Sequence, residues 1–198
     1  MKIEYYYSIL SPFTYLGSIK FQSIAKKYNA EIIEKPCDLV GGIFIKTGGV
    51  PVPQRSPQRQ KYRLDEIKRW SEFLNIKINI KPKFFPPKEP HLPAKFTIAA
   101  NLLGTKVVFG HELLKQLWSE EKDISDEKNI EIVSNNFKIN FKELFALAKS
   151  EKVLKIYSDN TKEAVEKNVF GAPTYIFNNE LFWGQDRLEF LERALKNA

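Results

Sequence analysis

Apolar positions recur along this chain with two different periods. From Lys2 to Tyr7 they alternate, Ile3, Tyr5 and Tyr7 against Glu4 and Tyr6, which predicts a strand. Ser11-Pro12 follows at once. Serine is a favoured helix cap and proline a favoured first helical residue, so a helix should open there. It should run to about Asn29 with Phe21, Ile24, Ala25 and Tyr28 on one face. Ala30 to Glu34 reads as a second strand, completing a strand–helix–strand unit of the kind that builds parallel sheets. The stretch from Asp38 to Pro57 is punctuated by Gly41-Gly42, Gly48-Gly49, Pro51 and Pro53, and holds no long regular element. A helix is expected from about Gln58 to Leu74, and an extended or turning path through the five prolines between Lys81 and Pro93. Helical spacing returns at Phe96–Leu103, Val107–Ser119, Asn129–Asn136, Phe141–Lys149 and Glu151–Lys167. The chain then closes with a hairpin, Thr174–Asn178 and Glu180–Trp183 around Asn178-Asn179, and a last helix with Leu188, Leu191 and Leu195 inward. Asp186 followed by Glu189 predicts a capping box at its start. The order βαβ, helical block, ββα predicts an α/β protein: one mixed sheet whose two halves flank a helical insertion.

Composition narrows the possible chemistry. With 198 residues, 43% hydrophobic and 28% charged, the chain suits one large folded domain, or one with a second built into it. Its net charge of +7 favours anionic partners. The basic residues are spread over mixed-charge helices rather than gathered in a stripe, so small acids are expected and nucleic acid is not. A lone cysteine, Cys37, excludes an internal disulfide and a Cys-rich zinc site. Two histidines, His91 and His111, are too few for most histidine-based metal centres, and no metal is expected. No apolar run approaches the ~18 residues of a membrane span, and the first ten residues lack a basic start followed by an apolar stretch. The expected location is the cytoplasm, with no membrane partner.

Three junction segments carry candidate chemistry, and each has two readings. Ser11 is either a cap alone or a hydroxyl set at the unpaired N–H groups of a helix start, where an anion and particularly a thiolate is stabilised. Pro173 is either an ordinary proline at a strand entrance or the second residue of a cis Ala172–Pro173 bond that bares the backbone of Ala172 for an extended peptide. Asp186 is either a cap or a carboxylate for a ligand ammonium, with Gln185 and backbone N–H groups taking a ligand carboxylate. Cys37 is expected to be a small buried filler.

Taken together, Ser11-Pro12-Phe13, Gly171-Ala172-Pro173-Thr174 and Phe182-Trp183-Gly184-Gln185-Asp186-Arg187-Leu188 closely resemble the 2-hydroxychromene-2-carboxylate isomerases. These are similar to kappa-class glutathione transferases and, more distantly, to Dsb-type disulfide oxidoreductases. The Gly42 to Pro53 loop and Arg69-Trp70 share the likeness, which spans essentially the whole chain. The resemblance implies a thioredoxin-like domain, residues 1–37 and 160–198, with an inserted mainly helical domain, residues 38–159. It also implies glutathione as cofactor, a homodimer, and a small anionic aromatic substrate. Ser11, flanked by Pro12 and Phe13, would activate the glutathione sulfur. Ala172, before a cis Pro173, would pair with the cysteinyl backbone, and Trp183, Gly184, Gln185 and Asp186 would take the γ-glutamyl end. The implied reaction turns 2-hydroxychromene-2-carboxylate into trans-o-hydroxybenzylidenepyruvate by reversible thiolate addition, which frees a locked double bond to rotate.

The substrate side departs from the family. Ile43 stands where some isomerases have lysine, with Lys46 nearby, and Gly49 stands where kappa enzymes have asparagine. Phe84 replaces a pocket tyrosine, and Pro53 and Gln54, with Arg55 next, replace a polar pair. Lys46, Arg55 or Arg59 would clamp a carboxylate. With Ser11-Pro12-Phe13-Thr14 where a redox protein needs Cys-x-x-Cys, dithiol exchange is excluded. Two other functions remain open: a kappa-type transferase or peroxidase, and a non-catalytic module gripping peptides at the Pro173 edge.

Overall fold

The sheet is built around β1 (Lys2–Tyr7), which pairs in parallel with β2 (Glu31–Pro36) and antiparallel with β3 (Thr174–Phe177). β4 (Glu180–Trp183) extends β3, so the strand order is β2–β1–β3–β4. The computed structural model describes residues 1–198. Alternation holds on β1: Ile3, Tyr5 and Tyr7 face the larger core, where Tyr5 stacks on Tyr7 and on Tyr175 of β3. Tyr6, expected to look outward, is fully buried on the opposite face with Cys37, Ile43, Ala164, Val169 and Ile176. The sheet is therefore covered on both sides, as a strand in the middle of a mixed sheet requires.

α1 (Pro12–Lys27) crosses from β1 to β2, capped by Ser11. Asp38–Pro57 is broken into a single π-turn at Leu39–Ile43, a one-turn helix α2 (Phe44–Thr47) and a 3₁₀ turn at Val52–Gln54. α3 (Pro57–Leu74) starts at Ser56, which caps the Arg59 N–H. α4 (Leu92–Leu102) begins four residues earlier than its spacing predicts, because Pro93 sits in the first turn, where its missing N–H costs nothing. α5 (Val107–Trp118), α6 (Glu127–Asn136), α7 (Phe141–Ala148) and α8 (Glu151–Glu166) complete the helical block. No helix is long and apolar enough to cross a membrane.

One apolar core runs from the sheet into this block, joining Tyr5 and Phe21 to Phe96, Leu113, Trp118 and Leu144. α8 spans the 159/160 division and returns the chain to the sheet. Its Asn160 side chain donates to the Pro36 carbonyl at 3.0 Å, and its Thr161 hydroxyl accepts from the Asp38 N–H at 3.0 Å. Lys35, Glu163, Lys167 and Glu4 form an ion-pair chain across the same face. The β3–β4 turn is made by Asn178 and Asn179, both with positive φ, as the tightest hairpins require. α9 (Leu188–Lys196) buries Leu188, Leu191 and Leu195 as expected. The expected capping box is absent: a 3₁₀ turn at Gln185–Arg187 precedes α9, its cap position is Arg187, and the Asp186 carboxylate pairs with Arg187 at 2.7 Å.

Candidate active site

Ser11 is 8% exposed at the head of α1. Its hydroxyl oxygen accepts from the Thr14 N–H at 3.2 Å, and its own proton points to the Ala172 carbonyl at 3.4 Å. Pro12 has no N–H and the Tyr15 N–H is taken by the Ser11 carbonyl, which leaves the Phe13 N–H as the free donor of this turn. The helix start therefore offers a hydroxyl and one backbone donor, on the end of the helix that favours negative charge. The Ala172–Pro173 bond is cis, and Pro173 is buried behind Ala172. The Gly184 N–H donates to the Pro173 carbonyl at 2.9 Å, tying the end of β4 to this bend.

Ser11 and Ala172 open onto a cleft of about 830 Å³, within the size range of pockets that enclose small ligands. Pro12, Phe13, Trp183, Pro53, Arg55 and Arg59 line it as well. Trp183 is 49% exposed, and its ring meets Phe170 edge-on at 4.8 Å, forming an apolar shelf beside Ala172. The shelf lies against Gly171, where any side chain would collide with the indole.

Some expected residues stand elsewhere. Gly184, Gln185 and Asp186 do not line the cleft. Gln185 is buried against Gly17 with its amide nitrogen unpaired, whereas Asp186 is exposed. Lys46 is exposed outside the cleft, because on the single turn of α2 it is Phe44 and Thr47, three apart, that face inward. Gln54 is exposed on its 3₁₀ turn, and its neighbours Pro53 and Arg55 line the wall instead. Phe84 also misses the cleft. It sits inside a turn closed by the Phe85 N–H donating to the Pro82 carbonyl at 3.2 Å, and Phe85 at the turn's end lines the cleft instead, its ring 5.1 Å from Trp118. Gly49 lines the loop side, while Ile43 is buried in the smaller core.

Cys37 is buried at the cleft floor, its thiol pushed up to about 12 by burial and then by Asp38, so it is no nucleophile at neutral pH. Several lining residues escaped the sequence reading, Asp38, Arg63, His91 and Tyr157 among them. His91 Nδ1 lies 3.1 Å from the Tyr157 hydroxyl and 3.9 Å from an Asp38 oxygen, and nothing in the local sequence signals that meeting. Arg63 was legible: Arg55, Arg59 and Arg63 repeat every fourth residue, which puts the last two on one face of α3.

A βαβ unit and a ββα unit closing one mixed sheet, a helix start facing a cis-proline bend, and helices inserted between them define a thioredoxin-like fold of the DsbA kind. The chain belongs to the DSBA-like thioredoxin domain family, whose description matches residues 2–196. Among curated proteins it is similar to a 2-hydroxychromene-2-carboxylate isomerase of Pseudomonas putida, 26% identical over 202 residues that cover 98% of this chain and 94% of the relative. It is also similar to glutathione S-transferase kappa 1 of Caenorhabditis elegans, 23% identical over 206 residues covering 98% and 90%. A solved structure of a 2-hydroxychromene-2-carboxylate isomerase superposes with a TM-score of 0.80 at 23% identity, covering all of this chain and 95% of that one.

Proposed function

We propose that this protein is a glutathione-dependent isomerase acting on 2-hydroxychromene-2-carboxylate or a related intermediate of aromatic breakdown. The observation that carries the reading is the meeting of the Ser11 hydroxyl with the Ala172 carbonyl at the mouth of an apolar cleft. The names of the isomerase and kappa transferase relatives support it. The residues present fit a thiol tripeptide. Ser11 and the Phe13 N–H suit a sulfur anion, the backbone of Ala172 suits pairing with an extended peptide, and Trp183, first residue of the segment proposed to take the γ-glutamyl end, lines the cleft. When bound, glutathione supplies a nucleophile whose reversible addition lets a fixed double bond rotate.

In this reading Ser11 turns its proton from Ala172 to the sulfur and holds it as the anion. Phe44, Phe85 and Val52 flank the aromatic ring, and the arginines of the loop and α3 draw in its carboxylate. A cytoplasmic homodimer is part of the same reading, taken from the family likeness. The test is turnover of chromene carboxylate with and without glutathione, in wild type and Ser11→Ala. Glutathione-dependent turnover, reduced more in kcat than in glutathione affinity by the substitution, is expected. Turnover that ignores glutathione or Ser11 overturns the reading. A kappa-type transferase or peroxidase is the second reading, favoured by Lys46, Gln54 and Phe84 lying off the cleft wall. Chlorodinitrobenzene and an organic hydroperoxide, tested beside the chromene, separate the two.

A further inference from the structure

The cleft's charges are one-sided. Arg55, Arg59 and Arg63 all line it, and Asp38 is the single carboxylate in its wall. Asp38 is turned away, accepting from the Gly41 N–H at 2.8 Å and facing His91. Of the three arginines outside the cleft, Arg69 pairs with Glu66 and Arg187 with Asp186, while Arg193 has no carboxylate partner and lies over the Phe190 ring. No carboxylate lies within ion-pair reach of the cleft's three. Arg55 is held in place by its Nε donating to the Val50 carbonyl at 2.7 Å, so the guanidinium is aimed rather than loose. Burial, and then the neighbouring Arg55, pulls the Arg63 guanidinium down to about 10, which leaves it charged at neutral pH. Arg55 and Arg63, partly desolvated and without a counterion, with the exposed Arg59 beside them, are unfavourable in the free protein, and guanidinium forks match carboxylates two bonds at a time. A single carboxylate could satisfy one such fork and leave the others exposed to each other. Around them the wall is apolar and aromatic, with Phe44, Phe85, Val52 and Tyr157.

We infer that Arg55, Arg59 and Arg63 form a binding site for a second acidic group, so that the cleft selects aromatic substrates carrying two or more negative charges. This rests on the proposed function for its setting, since it names the substrate class of the same cleft, yet it is measured without turnover. The substrate for which the isomerase relatives are named has one carboxylate, so the arginine trio defines a different preference for this chain.

The probes are phthalate and benzoate, which share a ring and differ by one carboxylate, titrated calorimetrically into the full chain, with glutathione titrated separately. Phthalate should bind at least about tenfold tighter than benzoate, the scale of one added charged hydrogen-bonding pair. Arg63→Gln and Arg59→Gln should each erase most of that preference and leave glutathione binding unchanged. Arg193→Gln on α9, a cation outside the cleft, should change nothing. Arg59 is exposed on the first turn of α3, so its variant reports even where Arg63→Gln fails to fold. Equal affinity for the two acids, or a preference that survives in the Arg59→Gln protein, overturns the inference. So does simple competition between phthalate and glutathione, which would assign the arginines to glutathione's own carboxylates. Loss of glutathione binding alone, with the phthalate preference intact, removes the proposed function and leaves this site standing.

Discussion

The Ser11 hydroxyl donates to the Ala172 carbonyl across 161 residues of sequence, at 3.4 Å. The same oxygen caps α1 through the Thr14 N–H, so one atom serves both the helix and the cleft. These two roles separate by substitution. Ser11→Ala should lose the cap, about 1 kcal/mol, and with it ~2–4 °C of melting temperature. Ser11→Asn keeps a favoured cap and removes the hydroxyl. Its melting temperature should return toward wild type while turnover stays low, and recovery of turnover in that variant would show that capping alone matters.

Gly171 lets the Trp183 ring lie flat on the backbone beside Ala172. Gly171→Ala must push the indole aside. A change in tryptophan emission and roughly tenfold weaker glutathione binding are expected, the latter matching the loss of one well-made contact. Unchanged affinity with changed emission would remove Trp183 from the binding surface.

Glu34 sits on β2 opposite Tyr5 of β1, where it accepts from the Tyr7 hydroxyl at 2.6 Å. Burial raises its carboxyl to about 7, above the ordinary 4.5. The folded chain then holds more protons than the unfolded one between those values, so this group's contribution is full below about 4.5 and is lost as pH rises through about 7. Burial lowers His111, which acts in the opposite sense, so the comparison must be made against a variant. Glu34→Gln should gain stability relative to wild type as pH rises from 5 to 8. A constant difference across that range, by chemical denaturation, would contradict the assignment.

Arg63 costs stability in the free protein if its charge has no partner. Arg63→Met should therefore raise the melting temperature by ~2–4 °C, about 1 kcal/mol for a chain this size, while weakening anion binding. A lower melting temperature would mean the guanidinium is already satisfied.

Cys37 should resist a disulfide reagent in the native state at pH 8 and react fully on unfolding, because its thiol is buried and donates to the Tyr7 carbonyl at 3.5 Å. Rapid native labelling would show that the cleft floor opens.

The sheet and nearly every helix were legible because their signals are local. Ile3, Tyr5 and Tyr7 set a strand period, Ser11-Pro12 marks a helix start, and Asn178-Asn179 marks a hairpin. The second face of β1 was not legible, since Tyr6 reads as outward until α8 arrives from 150 residues away to cover it. The same limit governs the site. Ser11, Ala172 and Trp183 announce themselves through motifs at element junctions. Phe85 rather than Phe84, and Phe44 rather than Lys46, depend on which way a loop turns, and the meeting of His91, Tyr157 and Asp38 depends on three distant segments. The arginine repeat lay in plain sequence, but only the absence of a carboxylate within ion-pair reach gives it meaning.

The antiparallel pairing of β1 with β3 has a consequence for how the cleft comes into being. Ser8–Phe13 near the start supply one stretch of its wall and Phe170–Ala172 with Trp183 near the end another, the loop and inserted helices supplying the rest, so neither end of the polypeptide owns a half-site that works alone. A molecule resting on both stretches would act as a rivet through the zipper, and holding it would delay separation of the two termini during unfolding.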